Sequence, residues 1–362
     1  MTTSPSGYDA PVREPAEWIV VRLSALGDLA LTTGVLDYWR RTRGWTFTVI
    51  TREAFAPILE GHPAVRSVVG LRKSDLRFPN QLGVFRELAE TYSGHGLLDL
   101  HGTLRTRLLS LLWKGPVKRY AKLGLERRLF LFSKGRVFRE KLRRWNVPQR
   151  YALVVETTPP PRAELLPYIW LSPEEEAQGY RLLEQLPDKG AAAPVALHPY
   201  ATHPDKAWKA SHWRQLMEML DDRGISWIVV GRGEALDGIP AARDFTNRTS
   251  LRETCALLRA SSVLITGDSG PMHLAGAVGT PALALFGPTT EEWGFFPAGL
   301  RDRVLEVPLA CRPCTLHGKK HCDRNHACIC HSHNKQHQKQ YIDNTCKRKH
   351  KAQLPPETTE CK

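Results

Sequence analysis

Short apolar runs alternate with helix-spaced segments along this chain, in two separate sets, and this alternation limits the fold more than any other feature. The first set predicts strands at WIVVRL (18–23), FTVIT (47–51), VRSVVGL (65–71) and GLLDLHG (96–102). Helical spacing follows the first of them in SALGDLALTTGVLDYWRR, and further helices are expected at AFAPILEG and around 79–92. The second set predicts strands at PVALHPY (194–200), ISWIVVG (225–231), SVLITGD (262–268) and PALALFG (281–287), with helices over 211–223, 250–260 and 271–278. Strands that are apolar on both faces need helices on both faces, so each set reads as βαβ units around a mainly parallel sheet. The expected class is α/β: two doubly wound halves with a cleft between them, and ligands at the carboxyl ends of the strands.

A proline cluster, ETTPPPRAELLP (156–167), marks the junction between the sets. The expected division is a disordered tail over 1–16, a first half over 17–158, and a linker with a connecting helix over 159–190. A second half over 191–310, a Cys-rich segment over 311–329 and a polar basic tail over 330–362 follow. Apart from Ile342 and Leu354 that tail has almost no apolar side chains, so it is predicted to be disordered. The first 18 residues are polar and proline-rich with no apolar signal region. No apolar stretch approaches the ~20 residues that span a bilayer, so a cytoplasmic protein is expected.

Charge is uneven. Residues 101–150 hold 15 Lys plus Arg against two acidic residues, Glu126 and Glu140, and residues 311–362 hold 11 against four. Two basic zones point to an anionic partner at defined places. The first zone interleaves Trp113, Phe130, Phe132 and Trp145. It reads either as a helical cover with its basic face in water, or as a surface that meets an anionic lipid or polyanion. Nucleic acid is the competing partner class, but no RNP or helix-turn-helix pattern is present.

Four segments sit where strands run out towards the cleft. In SALGD (24–28), Gly27 and Asp28 open a helix, and Asp28 reads either as a helix cap or as a carboxylate at the cleft edge. HPYATHPDKAW places Thr202 and Lys206 on a loop, where a lysine can hold a phosphate as a compact charge. In GRGE, Glu234 follows a glycine turn, as a solvated loop residue or as a partner for ribose hydroxyls. TGDSGPMHL carries strand, turn and helix start in nine residues. There the N–H groups of Ser269 and Gly270, ahead of Pro271, suit a diphosphate. Asp268 would then reach sugar hydroxyls, because two anions repel, and His273 reads as a phosphate donor or a structural histidine.

Taken together, RLSALGD, HPYATHPDKAW, GRGE and TGDSGPMHLAGAVGTPALALFGPT resemble glycosyltransferase family 9, the ADP-heptose lipopolysaccharide heptosyltransferases, over about 18–328. The resemblance implies a GT-B fold of two Rossmann-like domains and an inverting transfer of heptose from ADP-heptose to a lipid-linked core acceptor. It implies Asp28 as general base and Lys206 on the diphosphate with Thr202 nearby. It also implies Glu234 on the ribose, and Asp268, Ser269, Gly270 and His273 around the donor sugar and phosphates. Ser269 and Pro271-Met272 stand where family members often have Thr and Leu-Ser. A relative using another nucleotide sugar, a donor-binding module without transferase activity, and a basic zinc-tailed nucleic-acid binder are the competing readings.

With no D-x-D pair, metal-independent chemistry is expected. An anionic glycolipid acceptor at the inner face of the inner membrane would explain the first basic zone. Arg105, Arg107, Arg127 and Arg128 are the candidates to meet it. Cys311, Cys314, Cys322 and Cys328 have the residue types of a structural zinc site, although only the first pair has a typical spacing.

Overall fold

The computed structural model describes residues 16–187, 193–316 and 327–330. The tails predicted to be disordered lie outside the described residues, apart from Ala16 and Cys330 at their inner ends. The first half runs β1 (Glu17–Val21), α1 (Leu26–Arg43), β2 (Thr46–Arg52), β3 (Val65–Leu71), α2 (Asn80–Thr91) and β4 (Gly96–Asp99). It continues with α3 (Leu104–Leu112), β5 (Val117–Arg119), α4 (Gly124–Phe132), α5 (Arg139–Arg143) and α6 (Val147–Ala152). A connecting helix, α7 (Pro173–Leu183), leads to β6 (Val195–His198), α8 (Ala210–Asp221), β7 (Trp227–Val229) and α9 (Leu251–Ala260). The second half closes with β8 (Val263–Gly267), α10 (Gly270–Ala277), β9 (Ala282–Phe286) and β10 (Arg303–Glu306).

Every strand pairing is parallel, as the two-sided apolar runs require. The sheet orders are β3-β2-β1-β4-β5 and β10-β9-β8-β6-β7. Two of the four edge strands, β5 and β10, were not expected: VKR and RVLE are short and partly exposed, so their sequences lack a buried strand's apolar run. The segment AFAPILEG forms a 3-10 helix over Glu53–Leu59, because Pro57 lacks the N–H an α-helix would use there.

The halves share a core. One apolar cluster runs from Trp18, Leu29 and Val35 through Leu165 and Ile169 to Leu258, Leu274 and Ala275. The proline-rich junction is packed into it. The Leu165 and Leu166 carbonyls lie 2.6 and 2.3 Å from where a Cβ on Gly34 would stand, so only glycine in α1 admits the strand of chain. Tyr168 N–H donates to Thr33 Oγ1 (3.0 Å), and Ile169 N–H donates to the Ala277 carbonyl of α10 (2.9 Å). Beyond it, α7 is capped by Ser172 with Glu175, and Glu175 in turn pairs with Arg252 of α9.

Candidate active site

The first sheet reverses its strand order between β1 and β4, and the second between β6 and β8. A switch point of this kind opens a crevice at the carboxyl ends of the strands. Arg22 directly follows β1 and is only 3% exposed. Its Nη1 donates to the Leu100 carbonyl beyond β4 (2.6 Å), and its Nη2 meets Asp28 Oδ1 at 2.5 Å. Asp28 is the third residue of α1. The Tyr151 hydroxyl donates to the same Oδ1 (2.9 Å), while the Ala25 N–H donates to Oδ2 (3.2 Å). Asp28 therefore caps its helix through one oxygen and is held by a buried cation through the other. Burial works to raise this carboxyl, but the Arg22 guanidinium and the two hydrogen bonds outweigh it and hold the group below its ordinary range. Tyr151 is pushed well above its usual value by burial, so it stays a neutral donor. His101, past the end of β4, is buried and driven down to about 3, first by burial and then by Arg22. Its Nδ1 has no hydrogen-bond partner among the described residues.

At the second switch point His198 ends β6, with Nδ1 3.0 Å from Thr266 Oγ1 and 3.3 Å from Ser269 Oγ. Burial brings this imidazole down to about 4, so it is neutral and fixes the turn rather than charging it. Ser269 precedes the first residue of α10, and the next turn holds the buried His273. Lys206 Nζ meets Asp268 Oδ2 at 2.5 Å, and the Thr289 hydroxyl donates to that oxygen at 2.7 Å. Both contacts fall on Oδ2, which leaves Oδ1 for another donor.

The two switch points approach each other where α1 packs on α10. A Cβ on Gly27 would stand 2.6 Å from His273 Cδ2 and 3.2 Å from Gly270 Cα, so the first turns of the two helices touch because residue 27 has no side chain. Two helix N-termini, each a source of positive potential, thus face one region. His273 lies between them, kept neutral by burial although Asp268 and Asp28 both favour its charge. Gly27→Ala is expected to cost about 1–3 kcal/mol in urea unfolding, the usual price of overpacking. His273→Ala in the same chain should recover part of it; an Ala at 27 that is neutral on its own would refute the contact.

The family model for glycosyltransferase family 9 (heptosyltransferase) matches residues 85–327, about two thirds of the chain. This chain belongs to glycosyltransferase family 9. It is 30% identical over 326 residues to lipopolysaccharide heptosyltransferase 1 of Pseudomonas aeruginosa, covering 84% of this chain and 86% of that one. Among solved structures it is similar to Escherichia coli ADP-heptose lipopolysaccharide heptosyltransferase II, with a TM-score of 0.65 at 19% identity over 92% of this chain and 99% of that one. The E. coli heptosyltransferase WaaC with ADP gives a TM-score of 0.62 at 19% identity, over 91% and 99%. The α/β fold with two parallel sheets is thus similar to that of the family's GT-B structures, as the resemblance implied.

Of the residues singled out from sequence in this family 9 chain, Lys206, Asp268, Ser269, Gly270 and His273 come together, and Asp28 faces them through α1. Thr202 and Glu234 stand exposed on the loops that leave β6 and β7 at the same carboxyl edge. Arg105, Arg107 and Arg128 are exposed, but Arg127 corrects the expectation. It is 9% exposed, and its Nη2 donates to the Trp293 carbonyl (3.1 Å) under the ring of Trp293. Arg150 donates to the same carbonyl at 3.0 Å, so both arginines join the halves. Arg143 likewise pairs with Glu291 (3.3 Å) and the buried Glu292 (3.2 Å), which uses part of the basic zone internally. Cys311, Cys314 and Cys328 do not gather with other donors into a group of three among the described residues. Cys322 lies outside the described residues. Sequence reasoning missed Tyr151, His198 and Thr289; Arg22 stood inside RLSALGD without a role.

Proposed function

We propose that this chain is an inverting glycosyltransferase that moves heptose from ADP-heptose to a lipid-linked lipopolysaccharide core acceptor at the inner face of the inner membrane. The observation that carries it is the opposition of the Asp28 carboxylate to the Lys206–Asp268 pair across the contact of α1 with α10. The relatives' printed names, lipopolysaccharide heptosyltransferase and ADP-heptose heptosyltransferase, support the choice of donor and acceptor. Residues 17–158 form the acceptor half and 191–310 the donor half. Asp28 accepts a hydrogen bond from the acceptor hydroxyl. As that oxygen bonds to the anomeric carbon, the carbon–oxygen bond to the β-phosphate breaks and its electron pair leaves with ADP. The hydroxyl proton passes to Asp28. A carboxylate of low basicity takes it late, once bond formation has made the hydroxyl acidic. Lys206 and the N–H groups opening α10 stabilise the charge that grows on ADP, which supplies metal-independent assistance to the leaving group. Asp268 aims Lys206 through Oδ2 and offers Oδ1 to a sugar hydroxyl, while Glu234 and Thr202 reach the ribose and phosphates from their loops. Arg105, Arg107 and Arg128 face the anionic acceptor.

The direct test incubates the full chain with ADP-heptose and acceptor prepared from cells lacking this enzyme. ADP should be released only when both are present, and no release would sink the reading. In a thermal-shift screen ADP-heptose should stabilise the chain more than UDP- or GDP-sugars; preference for another sugar nucleotide would move the donor. Lys206→Ala should lower kcat/KM by about 10²-fold, the loss of one leaving-group donor. Normal turnover in that variant would remove Lys206 from the chemistry.

A further inference from the structure

Two helices of the first half repeat one outward-facing pattern. In α3, Leu104, Arg107, Leu108 and Leu111 fall at i, i+3, i+4 and i+7, and in α4, Leu125, Arg128, Leu129 and Phe132 do the same; Leu108 is half-buried against the core, and the other seven are exposed. Such spacing puts each set on one face of its helix. The buried residues are Thr106 and Leu109 in α3 and Arg127 and Phe130 in α4, at the same two offsets in each. Leu104, Leu111, Leu125 and Phe132 are 81%, 83%, 68% and 90% exposed. A single exposed leucine means little. Four large apolar side chains in two matching stripes, each with an arginine at its centre, make a surface with a purpose. The placement adds to this: α3 follows β4 and α4 follows β5, neighbours in the sheet, so both helices leave the carboxyl edge where Asp28 sits.

We propose that α3 and α4 form a bilayer-docking face, with Leu104, Leu111, Leu125 and Phe132 entering an anionic lipid surface and Arg107 and Arg128 on its phosphates. Charge selects the occupant. Residues 101–150 carry 15 basic against two acidic residues, and a leucine stripe flanking arginine suits an interface where acyl chains and phosphates lie a few ångströms apart. The choice of a lipid surface rests on the reading that the acceptor is lipid-linked. Docking through the acceptor half would bring the crevice to the acceptor's own plane.

The test is co-sedimentation of the full chain with phosphatidylcholine vesicles, with or without about a third phosphatidylglycerol, and with neither donor nor acceptor added. The wild type should bind the anionic vesicles and leave the neutral ones. The variant Leu104→Ser/Leu111→Ser/Leu125→Ser/Phe132→Ser should lose about tenfold or more in partitioning. It should keep its circular dichroism and the melting shift caused by ADP. Arg107→Gln/Arg128→Gln should lose about fivefold per arginine on anionic vesicles. Equal binding by the wild type and the serine variant would overturn the proposal, because the basic tail would then suffice. So would a wild-type dimer that the serine variant turns into a monomer, which would assign the stripes to a second copy. Failure of ADP release with vesicle binding intact would overturn the transferase reading alone.

Discussion

Asp28→Asn is expected to lower kcat by about 10²–10⁴-fold, the range of a lost general base, with the Kd for ADP nearly unchanged. The asparagine is nearly the same shape, and its carbonyl oxygen can still accept from Tyr151 and Arg22 where Oδ1 does now, at 2.9 and 2.5 Å. What disappears is the charge that takes the proton, together with the acceptor for the Ala25 N–H, since the amide nitrogen stands where Oδ2 does now. The donor side is untouched, because Lys206, Asp268 and Ser269 belong to the other half. Steady-state kinetics together with calorimetric titration of ADP separate the two effects. Wild-type turnover would remove Asp28 from the chemistry, and a parallel loss of ADP binding would make it a structural residue.

Arg22→Met should be the most destabilising single change near the site, at about 3–5 kcal/mol near neutral pH, because it leaves a carboxylate in the crevice without its cation. Asp28 keeps 17% of its side chain exposed, which favours the lower end. The sign with pH follows from the shift. In the wild type the folded carboxyl lies below its unfolded value of about 3.9, so the stability it adds is complete above that value and is lost as pH falls through the folded pKa. Without Arg22 burial acts unopposed by that cation and pushes the carboxyl up. The variant's deficit is then present at neutral pH and shrinks on acidification, as protonation removes the buried charge. Urea unfolding at neutral and at mildly acidic pH should show the gap closing, and the acid limb of kcat/KM should move to higher pH in the variant. A gap that stays constant with pH would mean that Arg22 acts by packing alone.

The sheets were legible because a parallel strand buried on both faces writes its position as an unbroken apolar run, as in the segments holding β1, β8 and β9. The edge strands β5 and β10 are three and four residues long and carry charges, VKR and RVLE, whereas the other two edges, β3 and β7, lie in apolar runs long enough to read. In the candidate site, Asp28, Lys206 and Asp268 drew attention because each follows a strand end within eight residues. Tyr151 could not: it reaches Asp28 across 123 positions, through a helix whose sequence gives no sign of its target. His198 could have been suspected as the single ionisable residue closing a buried strand. Arg127 and Arg128 are neighbours of identical type, and only the register of α4 sends one to Trp293 and the other to solvent.

The chain passing beneath α1, from the proline cluster to Ile169, makes the halves unequal as exchangeable parts. It lays Leu165 and Ile169 into the apolar cluster shared with α10, and Gly34 leaves room for its carbonyls. Either half expressed alone would leave that cluster open to water. A chimera that took its donor half from a relative, in order to change the sugar nucleotide, would have to inherit residues 34 and 156–169 from the same parent as α10. Exchange at the proline cluster, where the sequence invites the cut, would divide a core.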